Sequence, residues 1–409
     1  MANFSTMFYV FFLIFFASIA SSNQSQALTN SINSFSADFF AQVSTDNKHA
    51  GNDIFLSGMS AHIVLTLLSL GATGKTLNDM DNTLYIDLPT KYQYKDAIKK
   101  MNSYKNVNMI VADKIYVKEG PQYTLNPAYQ ESAQKIFYSE VDQMDFNQPD
   151  DAAGEINSWV EYKTKKTVKD IVKGSDFNYA TVVVLVNTIY LQGQWDKQFN
   201  KDLTTEQPFY VSKTKTVNVQ MMLQHNTTDY GENEYLDAKV LKLAFQGQEA
   251  SMVFFLPNKY DGLAAMEKKL KNVNIHTLVN NLKPEEVTIS MPKINIETAA
   301  NLNDDLTDLG MGIVFNDNAT FEGIPANPTI PLKVENVFQK TYLDLNEGGV
   351  NSGGGDDTTD VNILPLSNEK QFTANHPFFF VAINEDGPIV FSGHFLGQNN
   401  NNGYNDYHH

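Results

Sequence analysis

The first half of the chain contains segments whose apolar residues repeat at the spacing of an α-helix. Residues 27–44, ALTNSINSFSADFFAQVS, place five large apolar side chains on one face, which predicts an amphipathic helix. Residues 60–76 are almost entirely apolar up to Gly71 and predict a buried helix that ends at this glycine. Residues 150–172 begin with acids and end with lysines, which predicts a third helix whose charges suit its dipole.

From about residue 180 onward the chain is dominated by patterns typical of β-strands. Residues 180–195, ATVVVLVNTIYLQGQW, are apolar at both odd and even positions and predict a strand buried on both faces. From residue 208 onward, apolar and β-branched runs alternate with turn residues, and Glu385-Asp386-Gly387 predicts a hairpin near the end. Helices followed by strands predict an α+β fold with large sheets in one domain.

Both ends of the chain differ from this globular pattern. Residues 7–16 are apolar and uncharged, and small residues follow as far as Ala20, so we predict that residues 1–20 are a signal peptide. The apolar run is shorter than the roughly 20 residues that a membrane-spanning helix needs. The mature protein is therefore expected to be secreted and extracellular, and residues 398–409, rich in Asn, are predicted to form a flexible tail. The candidate glycosylation sequons are those of Asn23, Asn226 and Asn318.

Charge and composition exclude several classes of function. The chain of 409 residues has a formal net charge of −17, which opposes binding to nucleic acid or to anionic membranes. It contains no cysteine, so disulfides, cysteine catalysis and zinc–thiolate sites are excluded. The segment GATGKT at 71–76 resembles a P-loop but has Ser69 where the first glycine belongs. No catalytic or calcium-binding motif is present, and we predict a monomer without enzyme activity, metal or cofactor.

Several segments, in order along the chain, resemble the serpin family. The resemblance covers residues 28–397 and is to the insect-like, secreted type of serine or cysteine protease inhibitor. It implies the serpin fold, with three β-sheets, about eight or nine helices and an exposed reactive-centre loop at about residues 347–371. The segments that carry the resemblance are NDIFLSGMSAHIVLTLLSLGATGKT, INSWVEYKTKKTVKDIV, VVVLVNTIYLQGQWDKQF, SMVFFLPN, QKTYLDLNEGG and FTANHPFFFVAI.

The resemblance also implies a mechanism and a partner. A target protease, of the serine or the papain-like cysteine class, cleaves the exposed loop and is held as an acyl-enzyme. The loop then inserts as a new strand into the central sheet and carries the protease with it, which releases stored strain. Neither nucleic acid nor a membrane is expected as a partner.

Two groups of residues match functional positions of the family. One is the sheet-opening cluster, in which Gln339 stands where the family often has a histidine, so that a pH response is lost there. Trp195 matches the residue where insertion starts. The sheet-opening cluster consists of Ser57, Ser60, Asn187, Gln339 and Trp195. The hinge of the loop is marked by Glu347, Gly349, Val350, Ser352 and Asp356.

Counting along the loop places the reactive bond. The family's spacing forward from Glu347 gives Ile363, whereas the spacing back from Phe372 gives Leu364. Cleavage after Leu364 would break a Leu–Pro bond, which most proteases avoid because proline fixes the backbone and lacks an N–H. We therefore predict cleavage between Ile363 and Leu364, by proteases of the elastase, chymotrypsin or cathepsin type, which accept apolar residues.

The hinge sequence leaves two hypotheses open. The first is an inhibitor that works by loop insertion, and the second is a serpin-fold carrier, storage or structural protein whose loop is only a substrate. Each of the glycines at 353–355 is expected to oppose ordering by about 0.5–1 kcal/mol relative to alanine. Because side chains alternate along a strand, Asp356 would share a face with Val350 and Ser352, and burying its charge is unfavourable unless it is paired.

Overall fold

The computed structural model describes residues 26–46, 48–49, 51–352 and 369–397. The predicted signal peptide, Asn23, Asp356, the Ile363–Leu364 bond and the C-terminal tail therefore lie outside the described residues. Within the described ranges helices and strands are mixed, which confirms the predicted α+β class. No helix in these ranges is both long and apolar enough to cross a membrane.

Helices occupy much of the first half, as predicted. α2 is capped by the Ser57 hydroxyl, which accepts a 3.0 Å hydrogen bond from the Ser60 amide, and all of its side chains are buried. The α-helices are α1 (26–45), α2 (Gly58–Ser69), α3 (Gly74–Thr83), α4 (Leu88–Lys91), α5 (Tyr94–Met101), α6 (Pro127–Ile136), α7 (Pro149–Lys163), α8 (Leu263–Leu270), α9 (Ile275–Asn280) and α10 (Asn303–Leu306). Short 3-10 or π turns lie at Pro121–Tyr123, Gly174–Asp176, Lys201–Leu203, Gln246–Gln248, Thr307–Met311 and Gly312–Phe315.

The third predicted helix is shorter than its charge pattern indicated. α7 ends at Lys163, whereas the prediction extended to residue 172, and that second part is wrong. Lys165 and Lys166 adopt left-handed φ angles of 52° and 66°, which a helix does not allow. The Thr164 hydroxyl accepts a hydrogen bond from the Val168 amide at 3.1 Å and fixes the turn instead.

The strands form two hydrogen-bonded sheets. Four of them, β1 to β4, fall in the first half of the chain, and of these the sequence predicted only β4. The strands are β1 (Ile54–Leu56), β2 (Val107–Lys118), β3 (Glu140–Met144), β4 (Val183–Gln194), β5 (Thr205–Tyr210), β6 (Thr216–Asn233), β7 (Ala238–Ala244), β8 (Ala250–Pro257), β9 (Lys283–Pro292), β10 (Ile294–Asn301), β11 (Val334–Asn346), β12 (Gly349–Val350), β13 (Lys370–Thr373), β14 (Phe378–Asn384) and β15 (Ile389–Phe395).

The nine-stranded sheet has the order β1-β15-β14-β8-β7-β6-β9-β13, with β5 paired to β6. Its continuity depends on β6, which is 18 residues long. The first part of β6 pairs with β5, its middle with β9 and its end with β7. Two of the three sheets that the resemblance implies are therefore joined here into one hydrogen-bonded surface.

The six-stranded sheet has the order β10-β11-β12-β4-β2-β3. β4 lies at its centre and pairs in antiparallel fashion with β2. On its other side β4 pairs in parallel with β11, from Val183 opposite Val334 to Asn187 opposite Gln339. Beyond that pair the two strands part, and we call this point the fork.

Both faces of the six-stranded sheet are buried. On one face α2 packs against β2, β4 and β15 within the main hydrophobic core. On the other face Ile156 and Val160 of α7 form a second apolar cluster with Val184, Val186 and Phe338. This two-sided burial explains why the β4 sequence is apolar at both parities.

Candidate functional site

Four residues of the sheet-opening cluster meet at the fork. The Gln339 side-chain amide donates to the Asn187 side-chain oxygen at 2.6 Å and to the Ser57 carbonyl at 2.9 Å, and its oxygen accepts from the Ser57 amide at 3.0 Å. The Asn187 side chain also donates to the Phe338 carbonyl at 2.9 Å. These side chains are fully buried. They therefore connect β4, β11 and the start of α2 at the point where the strands part.

Ser60 connects this cluster to a residue that the sequence analysis missed. Its hydroxyl donates to the Asp113 carboxylate at 2.9 Å, and Asp113 pairs with Asn187 across β2 and β4. The second carboxylate oxygen of Asp113 is buried without a hydrogen-bond partner among the residues that the structure describes. Burial raises the pKa of the Asp113 carboxyl well above its usual range, and the hydrogen bond from Ser60 offsets only part of this. The fork thus contains a titratable group, Asp113, beside the uncharged amide of Gln339.

Trp195 is not part of this group. It follows β4, eight residues beyond Asn187, which places it roughly 26 Å from the fork along an extended strand. Its ring stacks on Phe245 at 5.0 Å between centroids, and its side chain is buried. Its indole N–H donates to the Asn346 carbonyl and its backbone N–H to the Gly348 carbonyl, each at 3.0 Å. Trp195 therefore holds the chain where β11 ends and the hinge begins, and the described part of the hinge is residues 347–352.

Glu347 anchors the first residue of the hinge. Its buried carboxylate accepts from the Lys293 ammonium at 2.9 Å and from the Thr204 hydroxyl at 2.8 Å. Burial alone would raise the pKa of the Glu347 carboxyl, but the hydrogen bonds from Lys293 and Thr204 outweigh it and the pKa lies below its usual range. The Phe199 amide also donates to the Glu347 carbonyl at 3.0 Å. Glu347 is thus ionised and fixed at neutral pH.

The next hinge residues already form a strand inside the six-stranded sheet. β12 pairs in antiparallel fashion with residues 193–194 of β4 and with residues 345–346 of β11. Val350 is only 1% exposed. Gly349 has a φ of +149°, and a Cβ atom there would lie 2.0 Å from the Gly193 carbonyl oxygen. A glycine is therefore required where the hinge enters between the two strands.

The last described residues of the hinge leave the sheet again. Ser352 is buried, and its carbonyl accepts from the Asn346 side chain at 3.1 Å. Asn351 lies between Val350 and Ser352. It has a left-handed φ of 47° and was not among the predicted site residues. The side chain of Asn351 contacts both flanking strands.

The start of β13, just after the undescribed part of the loop, is also held by a polar contact. The Glu369 carboxylate lies 3.3 Å from His225 Nδ1 and accepts from the Thr288 hydroxyl at 2.9 Å. Among the described residues, His225, Glu369 and Glu286 form one group whose potential metal-ligand atoms lie within 4.8 Å of one another. The contacts of Glu369 with His225 of β6 and Thr288 of β9 hold the start of β13 in place.

The serine and histidine that lie close in sequence near the start of α2 do not form a catalytic pair. His62 Nε2 lies 2.8 Å from the Leu84 carbonyl, and His62 Nδ1 lies 2.6 Å from the Tyr94 hydroxyl and 3.1 Å from the Thr66 hydroxyl. Burial lowers the pKa of His62 to about 4. His62 is therefore a neutral residue within the core, bonded to groups other than Ser57 and Ser60.

Comparison with known proteins places the chain in a family. The sequence model described as Serpin (serine protease inhibitor) matches residues 30–397. Antitrypsin from Bombyx mori is 31% identical over 396 residues, covering 96% of this chain and 99% of that protein. Antichymotrypsin-2 from the same organism is 31% identical over 380 residues, covering 92% and 100%. The crystal structure of the Tenebrio molitor Serpin48 superposes with a TM-score of 0.82 at 28% identity, covering 91% of this chain and 99% of that one. The predicted resemblance is confirmed, and the chain is a member of the serpin family.

Proposed function

We propose that this serpin is a secreted protease inhibitor that traps its target by loop cleavage and loop insertion. One observation carries the proposal: β12 already pairs with both β4 and β11. The gap between these strands accepts a third strand with regular hydrogen bonds on both of its sides. Continued insertion would first extend a ladder that has begun, and it would separate paired strands only beyond the fork.

The geometry around the gap supports this proposal. The hinge enters beside Trp195 at one end of the gap, and the polar cluster of Asn187 and Gln339 lies at the other end, at the fork. Between them Thr188 donates its hydroxyl to the Lys340 carbonyl at 2.7 Å, so a side chain spans the gap next to the fork. When the loop inserts as a strand, side-chain hydrogen bonds of this kind are replaced by backbone hydrogen bonds, with little net change in free energy.

The target class follows from the residues at the proposed reactive bond. Ile363 precedes the bond and Leu364 follows it. An apolar residue before the scissile bond suits proteases with an apolar specificity pocket, such as elastase-, chymotrypsin- and cathepsin-like enzymes. Relatives named antitrypsin and antichymotrypsin are consistent with a protease as the partner.

The proposal is tested by incubating the mature protein with pancreatic elastase, chymotrypsin and a papain-like protease. An inhibitor forms a covalent complex with a serine protease that survives a denaturing gel, and the residual protease activity falls. The matched control is Val350→Glu. It places a charge at a fully buried position of β12, so its loop is expected to be cleaved without complex formation.

The opposite result would support the non-inhibitory alternative. Clean cleavage by every enzyme, unchanged protease activity and an unchanged melting temperature of the cut protein would identify the loop as a substrate only. Asp356→Ala then separates the two explanations of that result, because it removes the carboxylate that opposes insertion. If the Asp356→Ala variant inhibits a protease, the Asp356 carboxylate is what prevents the wild-type protein from inhibiting by loop insertion.

Secretion is a separate part of the proposal. Expression of the full chain in insect cells should release the protein into the medium with an N-terminus generated close to Ala20. Retention of the uncleaved chain inside the cells would contradict it, and this outcome would leave the inhibition test unaffected.

A further inference from the structure

The inserted part of the hinge ends at one residue with an unusual backbone conformation. Asn351 follows β12 directly and has a φ of 47°, in the left-handed region. Asparagine tolerates this region better than other residues with a side chain, apart from aspartate. The left-handed residue turns the chain away from the strand direction, so β12 stops after Val350 although the gap continues toward the fork.

The side chain of Asn351 bridges the two strands that border the gap. Its amide nitrogen donates to the Leu191 carbonyl of β4 at 2.7 Å. Its amide oxygen accepts from the Asp344 backbone amide of β11 at 3.0 Å. The side-chain amide thus makes one bond to each strand, as the peptide group of an inserted residue would.

The backbone of Asn351 adds two further bonds to the same strands. Its N–H donates to the Asp344 carbonyl at 2.7 Å, and its carbonyl accepts from the Gln192 side chain at 3.1 Å. Both backbone polar groups of Asp344 are therefore bonded to Asn351. The register of β12 on β11 continues with Asn351 opposite Asp344, so it is the side-chain amide of Asn351 that occupies groups which the backbone of an inserted strand would bond.

The next residue shows where the chain goes instead. Ser352 is buried, but its hydroxyl has no hydrogen-bond partner among the described residues. Its carbonyl accepts from the side chain of Asn346, the last residue of β11, which lies at the entrance to the gap. The chain has therefore turned back toward the entrance and does not point along the gap toward Asn187.

We propose that Asn351 is a positioning residue that sets how far the loop enters the sheet before cleavage, and that release of its side-chain amide is a required step of loop insertion. The second half of this inference rests on the proposed inhibitory function. For insertion to proceed, φ of Asn351 changes from left-handed to extended, and the bonds to Leu191 and Asp344 pass to backbone groups of the loop. A slower release leaves more time for the acyl-enzyme to hydrolyse, and more of the protein is then consumed as substrate.

Three substitutions separate the contributions of Asn351. Asn351→Gly keeps the left-handed conformation and removes the side-chain bridge. Asn351→Asp keeps an acceptor for the Asp344 amide but loses the donor to Leu191. Asn351→Ala removes the bridge and disfavours the left-handed backbone. The matched control is Asn301→Ala, because Asn301 is an exposed residue of the same sheet that lies far from the hinge.

Hydrogen exchange measures the bridge directly and does not depend on inhibition. The Asp344 amide is expected to exchange about tenfold faster in Asn351→Gly and in Asn351→Ala, to change less in Asn351→Asp, and not to change in Asn301→Ala. Unchanged exchange of the Asp344 amide in Asn351→Gly would overturn the proposed bridge.

Kinetics measure the effect on insertion. The number of serpin molecules consumed per inactivated protease is expected to fall severalfold in Asn351→Ala, while the rate of association with the protease stays the same. A number that rises or does not change would overturn the role in insertion, even if exchange confirms the bridge. If Asn351 had only a structural role, the substitution would alter thermal stability but would not lower the number of molecules consumed at an unchanged association rate.

The outcome remains decisive if the wild-type protein inhibits no protease. The loop is then nicked with papain, and insertion is followed by the fluorescence of Trp195 in a Trp159→Phe background, since the chain contains two tryptophans. Faster insertion in Asn351→Ala supports the proposal although the proposed function fails. A nicked protein that never inserts, or inserts at the same rate, overturns the role in insertion.

Discussion

The indole nitrogen of Trp195 donates a 3.0 Å hydrogen bond to the backbone carbonyl of Asn346, and so ties the end of β4 to the end of β11. The bond lies at the end of the gap opposite the fork, where the hinge passes between β4 and β11. The Trp195 side chain, at the β4 side of the gap, therefore fixes the position of the β11 side. The width of the entrance depends on this contact.

Trp195→Phe is expected to lower the free energy of unfolding by about 2–4 kcal/mol. Phenylalanine preserves an aromatic ring beside Phe245. However, it removes the hydrogen-bond donor of the buried Asn346 carbonyl and creates a small cavity. Denaturant unfolding measures the loss. Trp159→Phe is the control, because Trp159 is only partly buried and donates to Glu140 at 3.2 Å. Equal losses in the two variants would contradict the special role of Trp195.

Gly349→Ala is expected to remove β12 from the sheet. The added Cβ atom would meet the Gly193 carbonyl at 2.0 Å, and the φ of +149° is strained for alanine. The Val350 amide should then exchange with solvent at least tenfold faster than in the wild type. Gly154→Ala serves as control, because apart from the neighbouring backbone of α7 no described atom lies within 4 Å of a Cβ there, and α7 should gain up to about 1 kcal/mol. Protection of Val350 that survives Gly349→Ala would show that the hinge can enter in another way.

Asp113→Asn is expected to stabilise the protein at pH 7 but not near pH 3.5. The pKa of Asp113 is raised in the folded state, so its contribution to stability is most favourable below the unfolded value of about 4 and declines as the pH rises toward the folded value. Asparagine keeps an acceptor for Ser60 and has no charge to suppress. Melting temperatures across this pH range measure the effect, which should be a few degrees at pH 7.

The exposed residue Asp96 provides the control for this pH dependence. Asp96→Asn should leave the difference between pH 3.5 and pH 7 as it is in the wild type. If Asp113→Asn behaves in the same way, the carboxyl does not influence the stability of the fork.

The two sequons within the described residues differ in accessibility. Asn318 is exposed in a turn, whereas Asn226 lies within β6, lines a cavity of about 430 Å³ and accepts from the Lys197 ammonium at 2.5 Å. If the protein passes through the secretory pathway, Asn318 should carry a glycan in most molecules and Asn226 in few. Enzymatic deglycosylation of Asn318→Gln and Asn226→Gln, read by mass, tests this, and a larger mass loss caused by Asn226→Gln would contradict it.

Features with a strong local signal could be predicted from the sequence. The β4 segment is apolar at both parities because α2 and α7 cover both of its faces. α2 is apolar all round because it lies inside the core. The end of α7 could not be predicted from charge, because the left-handed Lys165 and Lys166 depend on the turn that Thr164 organises.

The two residues that the sequence did not reveal are polar and acquire their setting from distant parts of the chain. Asp113 follows an alanine in a strand and has no local sign of burial, and it becomes buried because α2 and β4 pack around it. Asn351 looks like an ordinary loop residue between Val350 and Ser352. Its bridge exists only because β4 and β11, about 150 residues apart in sequence, part beyond the fork.

The position of the fork gives strand entry a fixed direction. Any strand that grows from β12 must separate the parallel pairs of β4 and β11 from the Gln339 end first, and reach the pairs near Val334 last. α7 lies over Val184, Val186 and Phe338, so it covers the pairs that would part after the fork. Each separated pair is replaced by two antiparallel ones, and the change becomes harder to reverse with every residue. Under the proposed mechanism, a fully inserted strand in the six-stranded sheet distinguishes a molecule that has been cleaved by a protease from one that has not.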